Sequence, residues 1–281
     1  MTTPLVLRTA IGNYGHVRAL KDRTVESDRV RLDFVDVEPV NRAFRRMVRD
    51  LEFDVCEMAL TTHAQARAAG KPITALPIVL MGGLHHGALV CLRESGLRGP
   101  ADLAGMRVGV RAYSQTTGVW VRGILHAEYN VDPAAITWVT QEDAHVAEYD
   151  DPPNVVRAPP GRSLLAMLRD GAIEAMIALG GTDSAELRTV IPNADEAAAA
   201  WFRKTGVHPV NHVVVVRNDL LAEHPWLAGE LFRRFTEAKG NTGSQYGMEA
   251  NRASIDLLLA FAARQALTQT TYRAEQLFAA I

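Results

Sequence analysis

Short apolar runs rich in Val, Ile and Leu alternate along the chain with helix-period patterns, which predicts an α/β architecture with mostly parallel sheets. Leu5-Val6-Leu7 and Val30-Arg31-Leu32-Asp33-Phe34 read as the opening strands. Val40, Phe44, Met47, Val48 and Leu51 then fall on one face of a helix. Strand 54–59, helix 61–69 stopped by Gly70, and strands 76–80 and 88–92 follow. The unit then starts afresh, with strand 106–110, helix 117–129 and strand 136–140. The polar, proline-rich stretch 141–160 reads as loop, followed by a helix from Ser163 to Gly171 and a strand over 173–177. Helix 196–204 closes at Gly206, and the β-branched run 213–216 suits a strand buried on both faces. The remainder is helical, over 226–239 and 248–266.

Composition narrows the function classes. The 281 residues suit about two domains of ordinary size. Thirty basic and 32 acidic residues leave a net charge of -2, with no field to draw the chain onto nucleic acid or anionic lipid. The expected partner is therefore a small molecule, with neither nucleic acid nor membrane, and a homo-oligomer is left open. Cys56 and Cys91 lie in apolar runs and read as buried thiols. The start of the chain lacks the basic and apolar segments of an export signal, and no apolar run approaches the ~20 residues of a membrane span, so a cytoplasmic location is expected. Dinucleotide, Walker and His-Glu-x-x-His spacings are missing, and scattered histidines give no metal site.

Several segments carry a family resemblance: 54–58, Asp102-Leu103-Ala104-Gly105 running into 106–110, Tyr113-Ser114-Gln115-Thr116-Thr117-Gly118-Val119-Trp120, and Thr205-Gly206-Val207-His208-Pro209-Val210-Asn211-His212. Together they resemble the 4,5-dihydroxyphthalate decarboxylase family of the type II periplasmic-binding-protein-like superfamily, and the likeness runs nearly end to end. It implies two lobes of mixed sheet flanked by helices, lobe I over 1–92 plus 211–281 and lobe II over 93–210. Strands 88–92 and 213–216 would cross between them, with the ligand in the cleft. The implied activity is decarboxylation of a small hydroxylated aromatic carboxylate by ring protonation, with no obligatory cofactor. A solute-binding protein serving an ABC transporter, closing on such a ligand without chemistry, is the alternative.

Ring protonation needs a proton donor, a base for a hydroxyl and a holder for the second carboxylate. His86 and His212 are the candidate donors and Glu57, in an apolar strand, the candidate base or the partner of a structural arginine. Of the adjacent His85 and His86 only one can face the cleft, and His85 stands where the family more often has arginine. Asn13 and His16 follow the first strand, where such folds present loops to ligand, though His16 suits a surface loop equally. Ser114, Thr116 and Thr117 open a helix whose N–H groups favour an anion, or they merely cap it. Arg111 could clamp a carboxylate or stay exposed, Trp120 could stack on a ring or sit in the core, and Tyr113 and Arg162 complete the candidate binding set.

Overall fold

The computed structural model describes residues 3–178, 184–243 and 245–281. Two sheets divide the chain. The first has strand order β2-β1-β3-β11-β4, built from β1 (Leu5–Ala10), β2 (Val30–Phe34), β3 (Val55–Ala59), β4 (Ile73–Gly82) and β11 (Val210–Arg217). The second runs β10-β5-β9-β6-β7-β8, from β5 (Leu89–Leu92), β6 (Arg107–Val110), β7 (Thr137–Thr140), β8 (Val155–Arg157), β9 (Ala175–Ile177) and β10 (Leu187–Thr189). Both are mixed. β1 is parallel to β2 and β3, whereas β11 inserts antiparallel between β3 and β4. In the second sheet β5 runs antiparallel to β9 and β10 beside parallel β6, β7 and β8.

Nine α-helices pack around the sheets among the described residues: α1 (Arg18–Lys21), α2 (Asn41–Asp50), α3 (Leu60–Ala68), α4 (Thr116–Tyr129), α5 (Leu164–Arg169), α6 (Ala194–Thr205), α7 (Asn218–Glu223), α8 (Leu227–Lys239) and α9 (Met248–Arg264). The apolar stripe read from the sequence is the buried face of α2, where Phe44, Met47 and Val48 are shielded. Gly206 closes α6 with a positive φ of 66°, a geometry that glycine takes without a Cβ penalty. Cys56 and Cys91 are buried and free.

Three expectations need correction. Strand 88–92 does not cross between lobes and does not belong to lobe I: as β5 it is hydrogen-bonded wholly within the second sheet. β11 likewise lies wholly in the first sheet, so the chain passes between sheets through 83–88 and 190–209. An apolar strand fits the interior of either sheet, and the partners of β5 lie about a hundred residues downstream, outside any local pattern. Finally, 141–160 is not all loop, since β8 adds an edge to the second sheet.

Candidate functional site

The first sheet and the α4 end of the second half meet at a cavity of about 440 Å³, within the size range of small-molecule sites. It adjoins a larger one of about 980 Å³, and Met81, Thr117 and Asn211 line both. The register of β11 against β4 shifts on either side of His212. Such irregularities re-aim side chains, and here they fall where β11 reaches the cavity.

Glu57 is the middle residue of β3 and is fully buried. Its Cα partner on β11 is Val214, so His212, two residues along, is its diagonal neighbour on the same face. His212 Nδ1 lies 2.6 Å from Glu57 Oε1, which also accepts the Tyr14 hydroxyl at 2.7 Å. Glu57 Oε2 accepts the Gly12 backbone N–H at 2.9 Å. Burial pushes the Glu57 pKa up, but the hydrogen bond and charge of His212, with the Gly12 and Tyr14 donors, outweigh it and hold the carboxyl below its ordinary range. Burial and the Glu57 charge drive the Tyr14 phenol the other way, well above its usual value. The ionised carboxylate makes Nδ1 the donor nitrogen, and no hydrogen bond to protein occupies His212 Nε2 among the described residues.

A second imidazole shares the chamber. His145 and His212 both pack edge-on against Phe44, with ring centroids 5.6 and 5.0 Å away. His145 Nδ1 is 3.0 Å from Thr62 Oγ1, and burial, aided by Arg111 and Arg45, lowers its pKa to about 3, so it stays neutral. Arg111 lines the same cavity and pairs with Glu142 at 2.6 Å. Opposite, α4 begins at Thr116 with no side-chain cap among the described residues. Thr116 and Thr61 bond to each other at 2.7 Å and Thr61 donates to the Ser114 carbonyl, so these hydroxyls do not cap the helix, and its first N–H groups favour an anion.

The structure thus brings His212, Asn13, Arg111, Ser114, Thr116 and Thr117 to one cavity, with Asn13 Oδ1 accepting from Lys21 Nζ at 2.8 Å. His85, not His86, faces the adjoining cavity. His86 turns away against Trp201, centroids 5.8 Å apart. Glu57 lines neither cavity, and its oxygens are engaged by protein donors rather than by an arginine. Trp120 is core, donating to the Val210 carbonyl at 3.1 Å. His16 stacks on Tyr14, Tyr113 lies under the Arg122 guanidinium, and Arg162 pairs with Asp170, and none of the three lines the chamber. His16 and Tyr113 sit one or two residues from a chamber residue, a distinction that spacing alone does not make. Sequence reasoning missed Phe44, Thr62, His145 and Asn211. Phe44 carried only a core signal, and His145 lay within the stretch read as loop.

No family model matches the chain. It is 32% identical over 254 residues to the 4,5-dihydroxyphthalate decarboxylase of Comamonas testosteroni, spanning 84% of this chain and 75% of the relative. It is 31% identical over 181 residues to the 4,5-dihydroxyphthalate decarboxylase of Pseudomonas putida, spanning 62% and 70%. In three dimensions it is similar to the periplasmic aliphatic sulphonate binding protein SsuA from Escherichia coli, with a TM-score of 0.53 and 13% identity over 94% of this chain and 80% of that one. At that identity the likeness concerns the fold, which is that of the periplasmic binding proteins. On the strength of its sequence relatives, the chain belongs to the 4,5-dihydroxyphthalate decarboxylase family.

Proposed function

We propose that the protein releases carbon dioxide from 4,5-dihydroxyphthalate or a closely related hydroxylated aromatic acid, without a cofactor. The observation that carries this reading is a cavity-lining imidazole, His212, held through Nδ1 by a buried, ionised Glu57. That arrangement directs Nε2 to the ligand, and Glu57 balances the charge of the imidazolium form. Arg111 and the uncapped start of α4 supply positive potential for the carboxylate that is retained.

The chemistry then needs few parts. The hydroxyl para to the departing carboxylate pushes electrons into the ring, and the carbon bearing that carboxylate takes a proton from His212 Nε2. The bond to the carboxylate breaks, its electron pair restores the aromatic ring, and carbon dioxide leaves. A solvent proton restores His212, so one proton is consumed per turnover. His145, kept neutral by burial, fits a hydrogen-bonding role toward the ring substituents rather than proton storage. Glu57 acts through His212 and is a positioning residue.

Incubation of the purified protein with 4,5-dihydroxyphthalate in heavy water tests this. Proton NMR is expected to show 3,4-dihydroxybenzoate carrying one deuterium at the vacated ring carbon. Ligand-induced thermal stabilisation with no product would instead favour a solute-binding role on this fold.

A further inference from the structure

Three polar side chains form a hydrogen-bonded line through the wall between the two cavities. His85 Nε2 lies 2.8 Å from Asn211 Oδ1, and Asn211 Nδ2 donates to Thr117 Oγ1 at 3.0 Å. His85 faces the larger cavity, whereas Asn211 and Thr117 face both. The three come from the 83–88 crossing, the start of β11 and the first turn of α4, and all are buried. The proton transfer from His212 uses none of them.

Valence gives the line a direction. An amide oxygen only accepts and an amide nitrogen only donates. With Oδ1 toward His85, the imidazole must place a proton on Nε2. Burial lowers the His85 pKa to about 4, so near neutral pH that is its sole ring proton and Nδ1 is left as an acceptor. At the other end Oγ1 already accepts from Asn211, and its own proton finds no protein acceptor among the described residues. The neighbouring Thr116 hydroxyl is engaged with Thr61.

We propose that His85 and Asn211 polarise the Thr117 hydroxyl into a dedicated donor, aimed into the cavity at an anionic carboxylate or phenolate oxygen of the substrate. Thr117 is the contact, and His85 and Asn211 are positioning residues. The inference rests on the decarboxylase reading only for the class of ligand. It requires an aromatic acid whose oxygen lies where the two cavities join.

The direct test is the His85 tautomer in the intact protein, read by ¹⁵N-edited NMR at neutral pH. A proton on Nε2 is expected, and a proton on Nδ1 would mean a reversed amide, with the Thr117 proton spent inside the protein, and overturns the proposal. Calorimetric titration with phthalate, which carries the carboxylates but not the hydroxyls, gives the second reading. Thr117→Ser is expected to bind within about twofold of wild type and Thr117→Val about tenfold more weakly, the scale of one hydrogen bond to a charged group. His85→Gln, which keeps a donor toward Asn211, should retain affinity that His85→Leu loses. Equal affinity of Thr117→Val and Thr117→Ser, or no phthalate binding by wild type, overturns the chain. Tenfold weakening in Thr117→Val without turnover of 4,5-dihydroxyphthalate would leave the chain standing and remove the decarboxylase reading.

Discussion

Glu57 concentrates the residue-scale argument. A carboxylate in the middle of a fully buried strand is costly unless satisfied, and three donors satisfy this one. Glu57→Gln leaves the amide near His212 but removes the charge, and is expected to lower kcat by at least about tenfold with a smaller change in KM, because general acid catalysis supplies about 10² to 10⁴ in rate. Steady-state kinetics on 4,5-dihydroxyphthalate would show this. Tyr14→Phe removes one neutral donor from the same carboxylate and should cost only about 1 kcal/mol of stability, read from urea midpoints. Glu57 and His212, which the structure bonds to each other, stood out in the sequence because a lone acid in an apolar strand and a histidine at a strand entry are both anomalies. Which of them lines the cavity was not legible. That depends on the antiparallel pairing of β3 with β11, more than 150 residues apart. Which of His85 and His86 faces the cavity stayed open in the sequence for a similar reason: the segment is a short 3-10 turn from His86 to Ala88 rather than a strand, so the alternation of a strand does not apply there.

At the scale of elements, periodicity located the long helices and the valine-rich β11 to within a few residues, since those segments bury one stripe or both faces. It missed β8 and β10, three residues each, which exist through their partners rather than through their own pattern. Two glycines on helices separate packing from propensity. A Cβ on Gly123 of α4 would lie 2.0 Å from the Phe261 ring, so α4 and α9 approach through that gap. Gly123→Ala is expected to destabilise by about 1 to 3 kcal/mol through overpacking. A Cβ on Gly229 of α8 would meet nothing within 4 Å among the described residues, and Gly229→Ala should stabilise by about 0.5 to 1 kcal/mol. Thermal and denaturant unfolding of the pair checks both signs.

The whole molecule places its site between two sheets, and the interior that builds this site also makes it acid-sensitive. Burial lowers the pKa of His63 and His85 to about 4, and burial with nearby arginines lowers that of His145 to about 3, from an ordinary 6.5. Below 6.5 the unfolded chain therefore binds protons that the native state refuses. Stability is highest at neutral pH and above, and falls as pH drops toward 4, by about 1.4 kcal/mol per pH unit for each such histidine. The depressed Glu57 acts in the same direction in a lower window: its contribution is present above the ordinary 4.5 and lost as pH falls through its native value. Urea midpoints at pH 7, 6 and 5 should decline together, and constant midpoints would contradict the buried neutral histidines. On the proposed function, this chamber between the sheets breaks a carbon–carboxylate bond with His212 as the proton donor. Carbon dioxide release from 4,5-dihydroxyphthalate, compared between wild type and His212→Gln, measures it most directly. Sustained release by wild type with a loss of about a hundredfold or more in the variant is expected, and either no release by wild type or an undiminished rate in the variant would contradict it.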